Sequence, residues 1–205
     1  MSLHVENLGV ARGGRPVLEA VSFDCAPGEA LVLRGPNGVG KTTLLRTLAG
    51  LQPAMSGDIT LPEDSSAYAS HADGIKAQLS VTENLAFWAA VHGGALDEGV
   101  LADFDLAALR SRPAGTLSAG QKRRLGLARL GVIGRSVLFL DEPTVSLDGA
   151  AVKMFADWLR DRHLGQGGIA VIATHIDLGL EAPTLDLSPY VAAPDAGGGS
   201  DEAFL

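Results

Sequence analysis

The segment GPNGVGKT at residues 35–42 restricts the possible folds of this chain more than any other feature of its sequence. It matches the pattern G-x-x-x-x-G-K-[ST], which cradles phosphate groups when a buried strand precedes it and a helix follows it. The apolar run at residues 30–33 predicts that strand, and residues 42–51 favour a helix that ends at Gly50. Backbone N–H groups of the loop and the positive end of the helix dipole would form an anion site. We therefore predict a nucleotide site here, with a plain strand-to-helix turn as the alternative.

The chemistry of the loop residues indicates how they would contact ATP. Lys41 would bring a positive charge to the β- and γ-phosphates, and the Thr42 hydroxyl is placed to ligate Mg²⁺. The residues of this loop expected to bind ATP are Gly35, Pro36, Asn37, Gly38, Val39, Gly40, Lys41, Thr42 and Thr43.

A second motif lies at residues 137–142, where the apolar run VLFL ends in Asp141 and Glu142. Ligands bind beyond the carboxyl ends of strands in an open parallel sheet. Asp141 is suited to hold Mg²⁺, directly or through water, and Glu142 could polarise an attacking water as a general base. Two acids after a strand are a weak signal alone, but together with a phosphate loop they indicate nucleotide hydrolysis.

Periodicity along the rest of the chain predicts an α/β fold with a parallel sheet, because buried strands alternate with helices. The opening residues alternate between polar and apolar and are interrupted by Gly13-Gly14, as in an antiparallel pair. Strands are expected at residues 3–8, 17–25, 30–33, 58–61, 67–70, 136–140 and 169–173.

Helices are predicted between residues 81 and 131, with a break at Pro113, and between residues 150 and 163. Ser80 with Glu83 and Ser118 with Gln121 have the spacing of capping boxes. The apolar stripe of the last helix is expected to consist of Met154, Phe155, Trp158 and Leu159.

Composition narrows the class of protein further. The 205 residues fit one domain, and the net charge of −8 argues against a general nucleic-acid binder, which needs a basic surface. The single cysteine, Cys25, excludes an internal disulfide and is expected to be a buried apolar side chain. Residues 1–14 have no basic start followed by an apolar core, so we expect no secretion signal there, and no apolar run reaches the ~20 residues that span a bilayer. We expect a soluble protein in the cytoplasm or on the cytoplasmic face of a membrane.

Three further motifs occur in order around the acidic strand end: LSAGQ at residues 117–121, SLD at 146–148 and Thr174-His175. With the phosphate loop, this order resembles that of the ABC ATPases, and the resemblance covers about residues 3–180. It implies a P-loop NTPase with a parallel core sheet, an antiparallel β subdomain and an inserted helical subdomain at about residues 72–130. Residues 1–205 would form one ATP-binding domain with a mobile tail at about residues 190–205.

The resemblance also implies a shared site in a head-to-tail dimer of two copies of the chain. The signature residues of one copy would contact ATP held by the phosphate loop of the other, and Asp148 of the D-loop would help to organise the opposite site. Glu142, His175 and Lys41 would be the catalytic residues, with His175 contacting the γ-phosphate. The expected signature residues are Leu117, Ser118, Ala119, Gly120 and Gln121.

Two positions depart from the usual pattern of the family. Arg12 stands where an aromatic residue usually stacks on adenine; its guanidinium could also stack on a purine, and a solvated turn arginine is the alternative. His71 stands where a glutamine usually contacts Mg²⁺ and the attacking water, and its ring could hydrogen-bond water or the γ-phosphate instead.

Residues 68–85 and 117–130, together with Arg12, resemble the haem exporter ATPases of bacterial c-type cytochrome biogenesis. The resemblance implies a separate integral membrane permease as partner and a place on the cytoplasmic face of the inner membrane. Phe87, Trp88 and Val91 could line the groove for this permease or could pack the helical core. The segment DEPTVSLD at residues 141–148 is closer to the general ABC pattern than to the pattern of the haem exporter ATPases. Another small exporter and a soluble iron–sulfur assembly ATPase stay as alternatives.

Overall fold

A computed structural model describes residues 2–70 and 72–193 of the chain. Strands of the described part are β1 (Leu3–Arg12), β2 (Arg15–Cys25), β3 (Ala30–Arg34), β4 (Ser56–Thr60), β5 (Ser66–Ala69), β6 (Val137–Asp141), β7 (Ile169–Ala173) and β8 (Thr184–Asp186). Its α-helices are α1 (Lys41–Leu48), α2 (Val81–Val91), α3 (Gly99–Asp103), α4 (Ala119–Ile133) and α5 (Gly149–Trp158).

The first two strands form the predicted antiparallel pair, joined by the turn at Gly13-Gly14. Both glycines have positive φ, 59° and 79°, a conformation that glycine adopts without steric cost. β4 pairs with the other edge of β1, which gives a three-stranded sheet in the order β2-β1-β4. The inward side chains, including Leu3, Leu8 and Cys25, are buried, so the prediction for the cysteine is confirmed.

The second sheet is the predicted parallel sheet, with the strand order β5-β6-β7-β3-β8. Every residue of β6 and β7 is buried, because helices or the first sheet cover both faces. Edge strand β8 was not predicted, since its three residues TLD carry no apolar run. The phosphate-loop strand β3 therefore lies between two strands from the C-terminal part of the chain.

The helices α2, α3 and α4 lie between β5 and β6 in the chain, with short 3₁₀ turns between α3 and α4. Both predicted capping boxes are confirmed: Ser80 caps α2 with Glu83, and Ser118 caps α4 with Gln121. The helical pattern predicted for residues 81–131 is interrupted more than the single expected break: residues 92–98 are not helical, and between residues 104 and 118 there are only 3₁₀ turns, one of them after Pro113.

The last predicted helix is shorter than expected. α5 ends at Trp158, and a π-helical turn, Leu159–His163, follows it. The turn directs the His163 ring inward, where its Nε2 lies 3.0 Å from the carbonyl oxygen of Ile169. Gly168 makes room for this ring, since a Cβ there would lie 2.6 Å from it. The apolar stripe is as predicted, with Phe155, Trp158 and Leu159 buried and Met154 partly buried.

Part of the predicted tail is described. The N–H of Ala192 donates to the carbonyl oxygen of Val17, which attaches residues 191–193 to β2. Residues 194–205 lie outside the described part of the chain. Among the described helices, none combines the length and the apolar character needed to cross a membrane.

Candidate nucleotide site

The phosphate loop follows β3 and leads directly into α1, as the motif predicts. Gly40 precedes the helix with φ of 119°, and no side chain caps the helix N-terminus. A Cβ at Gly40 would lie 2.7 Å from Cγ1 of Val17, so β2 approaches the loop too closely for any other residue. The first N–H groups of α1 are thus left without a side-chain acceptor of their own, which suits an anionic ligand.

Lys41 is buried, and its ammonium group lies inside the loop. Nζ donates to the carbonyl oxygens of Gly35 and Pro36 over 2.7 and 3.2 Å. These two carbonyl bonds hold the charge where a phosphate would be bound. Val39 is also buried and packs beneath Gly35, so it supports the loop rather than facing its opening.

A cavity of about 290 Å³ opens in front of the loop. It brings together the phosphate loop and the acidic strand end, and it also has Arg12 on its wall. Its lining residues are Arg12, Val17, Asn37, Gly38, Gly40, Lys41, Thr42, Thr43, Asp141 and Glu142. Arg12 is exposed, as a side chain free to stack on a bound base would be. Residue 71, where His71 was predicted to contact the site, lies outside the described residues.

The exposed Thr42 and the buried Asp141 supply a hydroxyl and a carboxylate on one wall of this cavity. No group of three or more His, Cys, Asp or Glu side chains in the described part of the chain could hold a metal by itself. Mg²⁺ fits such a sparse donor set, because it usually takes one or two protein ligands and completes its shell with phosphate oxygens and water.

Tyr68 is a neighbour of the acidic site that sequence reasoning did not identify. Its hydroxyl donates to Oδ2 of Asp141 over 3.1 Å. Burial and the adjacent Asp141 charge raise the pKa of Tyr68 to about 12, so the phenol stays protonated at neutral pH. No local signal marks this contact, because it depends on β5 pairing beside β6.

Glu142 and His175 meet beside the loop, although their strands are separate in sequence. The Glu142 backbone has a positive φ of 47°, and its N–H donates to the carbonyl oxygen of Ala173 over 2.8 Å. His175 Nε2 lies 3.6 Å from Oε1 of Glu142 and 3.1 Å from Oδ1 of Asn37. The predicted base, the predicted switch histidine and the phosphate loop are therefore in direct contact.

The signature residues lie elsewhere on the same molecule. Ser118, Gly120 and Gln121 line a separate cavity of about 620 Å³ together with Ser146 and Asp148. This cavity shares no lining residue with the one at the phosphate loop. Leu117 is buried, whereas Ala119 is exposed at the first position of α4. Within one chain, the two halves of the predicted site are thus apart.

Asp148 also has a structural role that its motif does not reveal. Its side chain accepts a hydrogen bond from the N–H of Ala151 over 2.8 Å and caps α5. Ser146, two residues earlier, has a positive φ of 68°. The segment that precedes α5 is therefore held in place at the wall of the signature cavity.

A family model for the ABC transporter matches residues 18–145, which include the phosphate loop, the signature residues and the acidic strand end. The chain therefore belongs to the ABC transporter family and is one of its ATP-binding subunits. Within this family it belongs with the cytochrome c biogenesis ATP-binding export proteins. The relative of that name from Ruegeria pomeroyi is 63% identical over the full length of both chains. The one from Rhodobacter capsulatus is 62% identical over 98% of this chain and 94% of its own.

Solved structures share the fold. A putative ABC transporter ATP-binding protein from Pyrococcus furiosus superposes with a TM-score of 0.84 at 24% identity, covering 94% of this chain and all of its own. A putative metal-chelate type ABC transporter in an inward-facing conformation gives a TM-score of 0.76 at 27% identity, covering 91% of this chain and 79% of its own. The parallel sheet, antiparallel sheet and intervening helices are thus those of an ABC ATPase, as predicted.

Proposed function

We propose that this chain hydrolyses Mg²⁺-ATP to drive the export of haem for c-type cytochrome biogenesis. The observation that carries the proposal is the cavity in which the phosphate loop meets Asp141 and Glu142. The names of the full-length relatives support both the export function and its connection with cytochrome c biogenesis. The whole chain would act as one ATP-binding domain, with the helical subdomain at about residues 72–130.

ATP would bind with its phosphates in the loop at residues 35–43. Backbone N–H groups would donate to the phosphate oxygens, and Lys41 would exchange its two carbonyl acceptors for the β- and γ-phosphates. Thr42 and Asp141 would hold Mg²⁺, which neutralises charge on the phosphates when it is bound. Arg12 lies at the wall of the same cavity, where we propose that its guanidinium stacks on the adenine.

Glu142 would act as the general base. Its carboxylate faces the cavity beside His175, so it can accept a proton from a water placed for attack on the γ-phosphate. His175 would hold the γ-phosphate, since its ring lies between Asn37 of the loop and Glu142. His71 remains a proposed contact of the same phosphate or of the attacking water.

A second copy of the chain would complete each site. The N-terminus of α4, at Ser118, Ala119 and Gly120, opens onto a cavity that is separate from the one at the phosphate loop. In a head-to-tail dimer it would face the γ-phosphate that the partner copy holds, and Asp148 would lie near the opposite site. Hydrolysis would remove the γ-phosphate that connects the two copies, and the dimer would then open.

The work of this cycle would be delivered to a separate integral membrane permease. The subunit would then lie on the cytoplasmic face of the bacterial inner membrane, attached through that permease. We expect no nucleic-acid partner. The alternatives, another small exporter or a soluble iron–sulfur assembly ATPase, would use the same ATP site. The relatives' names favour the cytochrome c assignment.

Replacing Glu142 by Gln tests the assignment of the base. We expect ATP affinity to change by less than about twofold and steady-state hydrolysis to fall by roughly 10²-fold or more, because the amide cannot accept the proton. The variant should also accumulate as an ATP-dependent dimer in size-exclusion chromatography with light scattering. Hydrolysis near the parent rate would remove Glu142 as the base, and absence of hydrolysis in the parent would contradict the proposed function.

A further inference from the structure

Arg123 is a buried cation to which the proposed site assigns no role. It lies on α4, two residues after Gln121, and only 4% of it is exposed. Arginine stays protonated in proteins, and burial of its charge is costly unless the guanidinium is paired and hydrogen-bonded. The partners of Arg123 therefore show why a charge is kept at this position.

Four of the five guanidinium N–H groups have acceptors, on two segments outside α4. Nε donates to the carbonyl oxygen of Pro143 over 2.8 Å, and Nη2 donates to that of Glu142 over 3.0 Å. Nη1 donates to the carbonyl oxygen of Ser70 over 2.7 Å and to Oδ1 of Asp73 over 2.9 Å. Arg123 thus joins the signature helix to the chain after β5 and to the chain after β6.

The backbone of Glu142 needs such support. Its φ of 47° is a conformation that side-chain-bearing residues rarely adopt and that the surrounding structure must stabilise. Its N–H donates to the carbonyl oxygen of Ala173, and its own carbonyl oxygen accepts from Arg123 over 3.0 Å and from the Val145 N–H over a longer 3.4 Å. Because both backbone polar groups of Glu142 are bonded, the backbone from which its carboxylate extends toward His175 is held in place.

The acidic partner of Arg123 is itself held close to α4. A Cβ at Gly126 would lie 2.7 Å from Oδ1 of Asp73, so only glycine permits this approach. Asp73 is partly buried, with 23% of its side chain exposed, and it forms an ion pair with Arg123 over 2.9 Å. The positive charge of Arg123 is thus balanced by the Asp73 carboxylate and by three backbone carbonyl groups. Their hydrogen bonds hold the side chain in one position.

We propose that Arg123 is a positioning residue for ATP hydrolysis, which holds the Glu142 backbone so that the carboxylate faces the attacking water. It also transmits the position of the signature helix to Glu142, because its own backbone belongs to α4. The inference rests on the proposed function, since Arg123 acts through the base assigned there.

The test compares Arg123→Gln and Arg123→Lys with the parent in the full-length chain. We expect kcat of Arg123→Gln to fall by about tenfold or more while the KM and Kd for ATP stay within about twofold, since the phosphate loop is untouched. Arg123→Lys should recover part of kcat, because an ammonium group can still donate to some of the same acceptors. Intrinsic fluorescence, thermal melting and binding of a fluorescent ATP analogue would be measured on the same samples.

Val100→Ala provides a control for a general loss of stability. Val100 is buried on α3 and packs against the far end of α4, beside Gly131. We expect this variant to lower the melting temperature but to keep kcat. An equal loss of kcat in Val100→Ala and Arg123→Gln at equal melting temperature would overturn the proposal, as would an unchanged kcat in Arg123→Gln.

A double variant tests whether Arg123 acts through Glu142. Adding Arg123→Gln to Glu142→Gln should lower the residual hydrolysis by less than about twofold, because residues that act as a unit are not additive. A full additional loss would contradict positioning through Glu142. Failure of the parent chain to hydrolyse ATP would contradict the proposed function instead, so the two outcomes are distinguishable.

Discussion

At the scale of single residues, the hydroxyl of Tyr68 bears most directly on the metal chemistry. It lies on the neighbouring strand and donates to Asp141, one of the two groups proposed to hold Mg²⁺. A hydrogen bond to one carboxylate oxygen leaves the other oxygen for the metal or its water. Because the pKa of Tyr68 is raised to about 12, this donor is present over the whole neutral pH range.

Tyr68→Phe should therefore weaken Mg²⁺ binding without abolishing it. A hydrogen bond to a charged group contributes about 1.5–3 kcal/mol, and water can replace part of it at a half-buried site. We expect the Mg²⁺ concentration for half-maximal hydrolysis to rise roughly threefold to tenfold, on the energy scale of one hydrogen bond. Titration of ATPase activity with Mg²⁺ at saturating ATP would measure this.

Tyr190→Phe is the matched control, because Tyr190 lies in the 3₁₀ turn near the end of the described chain and does not line the cavity. Its Mg²⁺ dependence should equal that of the parent. Equal dependence in Tyr68→Phe and the parent would show that the Asp141 contact has no part in metal binding.

At the scale of elements, two helices begin with the same device but at different places. Ser80 and Ser118 each accept a hydrogen bond from a backbone N–H three residues on, over 3.2 Å. The first cap begins a helix whose N-terminus is bonded to residues 110–112, whereas the second opens onto the signature cavity. Comparing variants of Ser80 and Ser118 therefore separates the contribution of a helix cap to stability from its contribution to catalysis.

Ser80→Ala and Ser118→Ala should each lower the free energy of unfolding by about 1 kcal/mol, since each loses one capping bond. Only Ser118→Ala should also lower steady-state hydrolysis, by roughly tenfold, because its hydroxyl would face the γ-phosphate of the partner's ATP. Urea unfolding and ATPase assays on the two variants would measure both effects. Equal activity in the two variants would show that Ser118 is a helix cap and nothing more.

The elements that the sequence predicted well are those defined by local pattern. The apolar runs at β3, β6 and β7 and the two capping boxes are each readable within a few residues. Edge strand β8 and the π-helical turn at Leu159–His163 were missed, because pairing with β3 and packing of His163 create them. The limits of α1 also differ from the prediction: it begins at Lys41 and ends at Leu48 rather than near Gly50.

The same division applies to the site. The motif order predicted that the phosphate loop, Asp141, Glu142 and His175 serve one site, and the structure brings these residues close together, while their roles stay predictions. Tyr68 and Arg123 were not identified, since their partners become neighbours only when strands and helices pack together. Sequence therefore predicts the groups that contact a ligand better than the groups that hold them in place.

At the scale of the whole molecule, the apolar side chains of α2 bear on how this ATPase contacts a membrane partner. Phe87 and Val91 on α2 are exposed, with 38% and 57% of each residue accessible, whereas Trp88 packs under the Arg129 guanidinium. Phe87 also contacts the Trp88 ring and the Lys76 ammonium group, so Val91 is the more accessible of the two. The groove for the permease stays a prediction for Phe87 and Val91, whereas Trp88 is engaged within the subdomain.

The transport proposal predicts that the chain is retained on membranes by a separate integral membrane permease. On co-expression, the tagged chain should co-purify with that permease, and Phe87→Ser with Val91→Ser should reduce the recovered permease severalfold while leaving ATP hydrolysis intact. Loss of apolar contact area is the physical reason. Immunoblotting of detergent-solubilised membranes against both subunits would measure the ratio.

Met55→Ser is the control for this surface, because Met55 is similarly exposed, at 53%, but lies beside the antiparallel sheet. It should leave the ratio unchanged. Co-purification that fails for the parent chain would favour the soluble iron–sulfur assembly alternative, and equal loss in both variants would exclude α2 as the docking helix.

The position of β3 in the sheet also determines when the protein becomes competent during synthesis. Its neighbours β7 and β8 are made much later, and the Arg34 side chain at its end is bonded to the carbonyl of Thr174, 140 residues further along. A ribosome adds about 5–20 residues per second, so the phosphate loop emerges many seconds before the strands that hold it. An incomplete nascent chain would thus have the motif without a formed site, and ATP could stabilise only molecules whose synthesis has passed β7 and β8.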